Sequence, residues 1–316
     1  MSAPTRARVP LDSIDAVIRA LAAAGYVADR ALATSIFLAV RLEKPLLLEG
    51  ESGVGKTEVA KVLAEILDAE LIRLQCYEGL DANAALYEWN YPKQLLAMRL
   101  EIGDVGDGQQ PARDLSAVRH IFTREFLIER PLLKAIDNHD RRTVLLIDEV
   151  DRCDQEFEAF LLEVLSDFQI TVPELGTIRA KQRPVVVLTS NRTREINDAL
   201  KRRCLYHWIP YPSFEKELEI LKTKVPGLPD TLARQICAFM EQARTKDFFK
   251  KPGVAESLDW AAALLALERQ RLDEATIADT LGVIFKYRED VERFDDPSMR
   301  VLFEAARRAA AAPEPA

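Results

Sequence analysis

The sequence predicts an α/β fold: a parallel sheet sandwiched by helices and followed by a smaller all-α lid domain. Three observations predict it. Short uninterrupted apolar runs recur through the first two thirds of the chain, helical patterns lie between several of them, and no strand-like run follows Pro210 and Pro212. Continuous apolar runs suit strands buried on both faces, which belong to parallel sheets whose crossovers are helices.

Residues 11–25 read as a helix, with Ile14, Val17, Ile18 and Leu21 on one face and Gly25 as the stop. A second helix, at about 28–42, precedes the apolar run at 45–48. A glycine-rich loop and a helical stretch at 57–67 follow, and strand, glycine loop and helix make one unit of such a sheet. Runs at 71–74, 144–147, 185–188 and 205–209 supply the other strands. Residues 155–167 form a helix, and two short segments at 169–172 and 177–179 predict a hairpin. Residues 77–99 carry Tyr87, Trp89 and Tyr91, an aromatic content unusual for a connection. Residues 102–114, with Gly103, Gly106 and Gly108, read as a mobile loop. The expected divisions are 1–212 for the sheet domain, 213–295 for the all-α lid, and 296–316 for a C-terminal helix and frayed tail.

Hydrophobic residues are 48% of the 316 and charged residues 30%, enough apolar material for a real core. The formal net charge of −8 disfavours non-specific attraction to nucleic acid or anionic lipid. Cys76, Cys153, Cys204 and Cys237 are widely spaced and read as free thiols. His120, His139 and His207 lack metal-ligand spacing. The longest membrane candidate, 32–40, falls far short of the roughly 20 residues a span needs, so a cytoplasmic location is expected.

The strongest chemical signal is Gly50-Glu51-Ser52-Gly53-Val54-Gly55-Lys56-Thr57, a full match to G-x-x-x-x-G-K-[ST]. Glycines let successive backbone N–H groups turn inward around phosphate oxygens. Lys56 then places a cation near the outer phosphates and Thr57 offers a hydroxyl to Mg²⁺. These eight residues, with Glu58 after them, are the expected nucleotide-binding set. The second signal is Asp148-Glu149 at the end of a buried strand, where open α/β sheets place ligands. Asp148 is the candidate for holding the metal and Glu149 for polarising an attacking water. Asn191, after the strand at 185–188, is the third candidate, to orient that water or touch the terminal phosphate; a turn-forming asparagine is its other reading.

Loop, acid pair and polar-ended strand occur in the order found in AAA+ ATPases, and the sequence resembles the MoxR family, its CoxD-like members above all. The resemblance is carried by RLEKPLLLEG at 41–50, LQCYEG at 74–79, YEWNYP at 87–92, EFLIERP at 125–131 and TLGVIFKY at 280–287, and covers roughly 10–295. It implies ATP and Mg²⁺, a hexameric ring with ATP between subunits, and chaperone-like remodelling of another protein. It also implies a partner with a von Willebrand factor A domain and, for CoxD-like proteins, a metalloenzyme client of the molybdenum hydroxylase class.

By the same resemblance Arg203 is the expected arginine finger, with Arg202 in reserve, at the end of Lys201-Arg202-Arg203; a solvated basic turn is the other reading. MoxR proteins commonly carry a second sensor arginine at the start of a lid helix, but 251–257 has none, which puts coupling between nucleotide and lid in question. Tyr87, Trp89 and Tyr91 fall where the family inserts a loop-bearing helix, and either grip a client or pack on the sheet. The competing function is a nucleic-acid-associated AAA+ motor, which would need a basic surface; the basic end of the hairpin, Arg179, Lys181 and Arg183, reads more simply as a solvated face or subunit contact.

Overall fold

A computed structural model describes residues 11–103, 121–138 and 141–311. Two helices open the chain, α1 (Ile14–Ala23) and α2 (Arg30–Leu42), each started by a side chain that caps its first turn. Ser13 accepts from the Ala16 N–H at 3.2 Å and Asp29 from the Leu32 N–H at 2.8 Å. Gly25, at φ +73°, ends the first helical segment in a conformation that favours glycine.

The sheet begins with β1 (Leu46–Gly50), then α3 (Lys56–Ile66) and β2 (Glu70–Gln75). An insert follows: α4 (Ala82–Leu86), β3 (Tyr87–Trp89), α5 (Tyr91–Gly103), β4 (Leu127–Glu129) and α6 (Pro131–Ile136). The chain returns as β5 (Thr143–Asp148), α7 (Gln155–Asp167), and the antiparallel hairpin β6 (Gln169–Val172) and β7 (Gly176–Arg179). Then come β8 (Val185–Ser190), α8 (Asp198–Arg203) and β9 (Leu205–Ile209). The five main strands are parallel in the order β2-β5-β8-β1-β9.

Every residue of β1, β5 and β8 is buried, which is why these strands read as unbroken apolar runs. Alternation divides them between two cores. Leu47, Leu145, Ile147, Val186 and Leu188 face one; Leu46, Leu48, Val144, Leu146, Val185 and Val187 face the other, with α1, α2 and α3.

Beyond β9 the described chain is helical: α9 (Phe214–Lys224), α10 (Asp230–Thr245), α11 (Val254–Ala266), α12 (Glu274–Ile284), α13 (Arg288–Glu292) and α14 (Arg300–Ala311). These helices share a third core built on Phe239, Met240 and Trp260, whose indole N–H donates to Thr280 Oγ1 at 2.8 Å. The core does not stop at residue 295. Leu302 and Ala306 of α14, within the C-terminal stretch expected to form a helix and tail, are buried in it.

Two further expectations need amendment. Ile102 and Gly103 belong to α5 rather than to a loop, and 104–114 lie outside the described residues. His120, His139 and the tail at 312–316 lie outside them too. The aromatic trio divides: Trp89 is buried, edge-on to Tyr87 and Phe122, whereas Tyr91 is 60% exposed. No helix among the described residues is long and apolar enough to cross a membrane. All four cysteines are free thiols, and no metal-ligand cluster of histidine, cysteine and acids occurs among the described residues.

Candidate functional site

The loop between β1 and α3 is shaped by its glycines. Gly53 (φ +77°) and Gly55 (φ +93°) hold left-handed backbone that a side chain would strain. Gly50 serves differently: a Cβ there would stand 2.3 Å from the Ile209 carbonyl oxygen of neighbouring β9. Lys56 opens α3 and is 6% exposed. Its ammonium donates to the carbonyl oxygens of Gly50 at 2.9 Å and Glu51 at 2.7 Å, which keeps the cation at the loop. Burial lowers its pKa, against the opposing pull of Asp151, Glu51, Asp148 and Glu149.

The next residue ties the loop to β5. Thr57 Oγ1 donates to Asp148 Oδ1 at 3.0 Å, and Thr189 Oγ1, from β8, donates to the same oxygen at 2.5 Å. The other oxygen, Asp148 Oδ2, pairs with Arg73 Nη2 of β2 at 2.5 Å. Asp148 is therefore buried among two hydroxyl donors and a guanidinium. Glu149 turns outward at φ +55°, a left-handed conformation uncommon for a side-chain-bearing residue. Its N–H donates to Thr189 Oγ1 at 2.9 Å, and Gln75 Nε2 reaches its carboxylate at 3.3 Å. The two acids thus have different surroundings: one is locked into the sheet, the other is held more loosely at the cavity wall.

Lys56, Thr57, Asp148, Glu149, Thr189 and Asn191 line one cavity of about 440 Å³. So do Ser52, Gly53, Val54, Gly55 and Glu58. Gly50 and Glu51 are not on its wall; they act through the carbonyls that hold Lys56. Asn191 is placed by Asp151, a buried acid absent from the sequence reading. Asp151 accepts the Asn191 N–H at 3.3 Å and the Thr193 N–H at 2.8 Å. Apolar side chains line the cavity too, among them Tyr26, Val27, Ile209, Pro210, Ile220 and Leu258. Polar groups suited to phosphate and metal thus share one cavity with apolar side chains, the mixed lining expected of a small-molecule site.

The helical region closes the cavity. From α9, Lys224 pairs with Glu58 at 3.0 Å and Lys216 with Asp29 at 3.0 Å. From α11, Ala255 N donates to the Gly53 carbonyl at 3.1 Å. Neither lysine stood out in the sequence, because α9 reads as an ordinary amphipathic helix. Among the described residues no arginine lines the cavity, and neither do Lys250 and Lys251, the lysines shortly before α11. Arg202 and Arg203 end α8, exposed and away from the cavity of their own chain.

The chain is similar to several known proteins. It is 28% identical over 234 residues to an uncharacterised protein of Staphylococcus aureus strain NCTC 8325, covering 72% of this chain and 77% of that one. Among solved structures, the RuvB Holliday junction branch migration motor of Thermotoga maritima is 16% identical, with TM-score 0.44, covering 80% of this chain and 67% of that one. A protein of Cytophaga hutchinsonii solved as a candidate ATPase is 15% identical, with TM-score 0.46, covering 95% and 94%. Residues 45–204, just over half of the 316, match the AAA domain (dynein-related subfamily), and with its phosphate-type loop and its acid-ended β5 inside that span the chain belongs to this family.

Proposed function

We propose that the chain hydrolyses ATP at this cavity and uses the turnover to remodel another protein, as a MoxR-type, CoxD-like AAA+ motor. The observation that carries the ATPase reading is the 3.0 Å bond between Thr57 Oγ1 and Asp148 Oδ1, with Glu149 beside it and Lys56 in the loop. Two hard oxygen donors side by side form the donor set that magnesium takes, so Thr57 and Asp148 would hold the ion, which would screen phosphate charge. The loop N–H groups and Lys56 bind the phosphates, and Tyr26, Val27, Ile220 and Leu258 receive the base. Glu149 accepts a proton from the attacking water, and Asn191 orients that water. Arg203, exposed at the end of α8, acts in the cavity of a neighbouring subunit of a hexameric ring.

The client side of the proposal rests on the resemblance of the five sequence stretches to CoxD-like proteins. It consists of a von Willebrand factor A domain partner and a metalloenzyme of the molybdenum hydroxylase class awaiting maturation or cofactor insertion.

Phosphate release from Mg²⁺–ATP tests the core of the reading. Glu149→Gln should bind a fluorescent ATP analogue as the parent does, with turnover down at least about 10²-fold. Undiminished turnover would reject the assignment. The same variant, held with ATP, should retain the partner and client in a co-purification that ADP releases.

A further inference from the structure

The start of α11 sits on the phosphate loop itself. Gly253, its N-cap, has φ −88° and ψ −172°, extended backbone that any residue adopts. Yet a Cβ there would lie 2.6 Å from the Ser52 carbonyl oxygen and 3.0 Å from Gly53 Cα. The reverse also holds, since a Cβ on Gly53 would meet Glu256 Oε2 at 3.0 Å and Gly253 Cα at 3.4 Å. Glycine is needed at 253 because another backbone occupies the space, not because the chain turns there. The first-turn N–H groups of α11 are held in place as well: Gly253 N donates to Glu256 Oε2 at 2.9 Å, and Ala255 N donates to the Gly53 carbonyl at 3.1 Å. Two segments about 200 residues apart in the chain thus meet backbone to backbone at the loop's bend.

A buried polar frame holds this seat from behind. Arg244 of α10 makes a two-pronged pair with Glu217 of α9, both bonds at 2.6 Å, and donates through Nε to the Pro252 carbonyl at 2.9 Å. Ser257 of α11 donates to Glu217 Oε1 at 2.5 Å. Arg244 and Glu217 are 9% and 1% exposed, so the frame is rigid in the sense that breaking it leaves a charge unpaired in the interior. It fixes α9, α10 and the residues just before α11 as one body, whose front edge is the Gly253–Ala255 backbone.

We propose that this seat, Gly253 and Ala255 on Ser52 and Gly53, reports the state of the phosphate loop to the helical region, with Arg244 as the residue that positions it. The loop would move the helices by backbone contact, since among the described residues no arginine of the same chain lines the cavity. The inference rests on the ATP reading above and adds how that site is coupled.

Hydrogen exchange across 253–266, without nucleotide and with Mg²⁺–ATP, tests it in the full chain, with ATP binding followed separately by calorimetry. Gly282→Ala is the control glycine, because a Cβ there meets nothing within 4 Å. In the parent and in Gly282→Ala, ATP should slow exchange at 254–258 by about tenfold. Gly253→Ala should bind ATP, keep the buried emission of Trp260, and lose that difference. ATP binding without any change at 254–258 in the parent overturns the coupling and leaves the ATP reading intact, as does a full response in Gly253→Ala. Absence of ATP binding in the parent removes both. Should Gly253→Ala lose the Trp260 signal, Ser257→Ala loosens the frame more gently: a reduced ATP response supports the seat and an unchanged one rejects it.

Discussion

Thr57 Oγ1 donates a hydrogen bond to Asp148 Oδ1 at 3.0 Å, and so joins the loop to a strand 91 residues away. Thr189 converges on the same oxygen, so loop, β5 and β8 meet at one buried atom. Asp148→Ala leaves both hydroxyls without their acceptor and takes from Arg73 its charged partner, though Gln75 Oε1 still accepts from it. At about 1–3 kcal/mol for an unsatisfied buried group, the unfolding midpoint in urea should fall clearly. Asp148→Asn keeps the shape and one acceptor oxygen, so it should unfold nearer the parent while losing magnesium-dependent turnover. Equal stability of the two variants would show that the convergence contributes nothing.

Arg73 makes a second prediction. Its side chain is 52% exposed, whereas that of Asp148 is 5% exposed, so the guanidinium is the carboxylate's route to charge balance. Magnesium would offer another. Without metal, Arg73→Ala should cost about 1–3 kcal/mol, since the carboxylate stays buried with two hydroxyl donors alone. With Mg²⁺–ADP the deficit should shrink, and half-maximal turnover should need less magnesium than in the parent. A deficit that ignores the metal would mean that Arg73 and the ion do not share this carboxylate.

Arg203 is exposed and outside its own chain's cavity, which makes its prediction one about neighbours. Arg203→Ala should lower turnover of the assembled protein by about 10³-fold while ATP binding persists. Arg202→Ala should do less. Mixing Arg203→Ala with Glu149→Gln chains should restore activity, because about a quarter of random head-to-tail interfaces then pair an intact Glu149 with an intact Arg203. No recovery on mixing would place Arg203 outside catalysis.

The strands were legible because β1, β5 and β8 are buried on both faces, and no surface requirement interrupts their apolar runs. The loop was legible as a candidate because its pattern is local, eight consecutive residues from Gly50 to Thr57. What escaped notice lies across strands and helices. Arg73 and Gln75 look like the exposed half of an edge strand until the β2–β5 register brings Gln75 opposite Asp148. Asp151 looks like one more acid in an acidic turn until it folds back to hold the backbone at Asn191 and Thr193. Lys216 and Lys224 are charges on a helix whose direction only the third core decides. The absence of an arginine at 251–257 is plain in the sequence. That a glycine there packs on the loop could not be read, because Gly253 has no conformational need to be glycine.

The lysines of α9 give the last prediction, a dependence on pH. Burial pushes the Glu58 carboxyl up, but the Lys224 hydrogen bond and charge, with Lys61, outweigh it and hold its pKa below the ordinary value of 4.5. Asp29 is likewise held below 3.8: burial opposes the shift, and the Leu32 N–H and Lys216 overcome it. A carboxyl whose folded pKa is depressed adds stability that is fully present above its unfolded pKa and lost as pH falls through the folded one. The ties between α9 and the sheet domain should therefore hold at neutral pH and fade below about pH 4. The four side chains are between 26% and 45% exposed, so solvent screening limits each pair to about 0.2–1 kcal/mol. Lys224→Gln should lower the urea midpoint slightly at pH 7, less in roughly 1 M salt, and not at all once Glu58 is protonated. A difference between parent and variant that persists at that acid pH would trace the effect to packing of the Lys224 stem, and the ion pair would then have no part in holding α9 to the cavity.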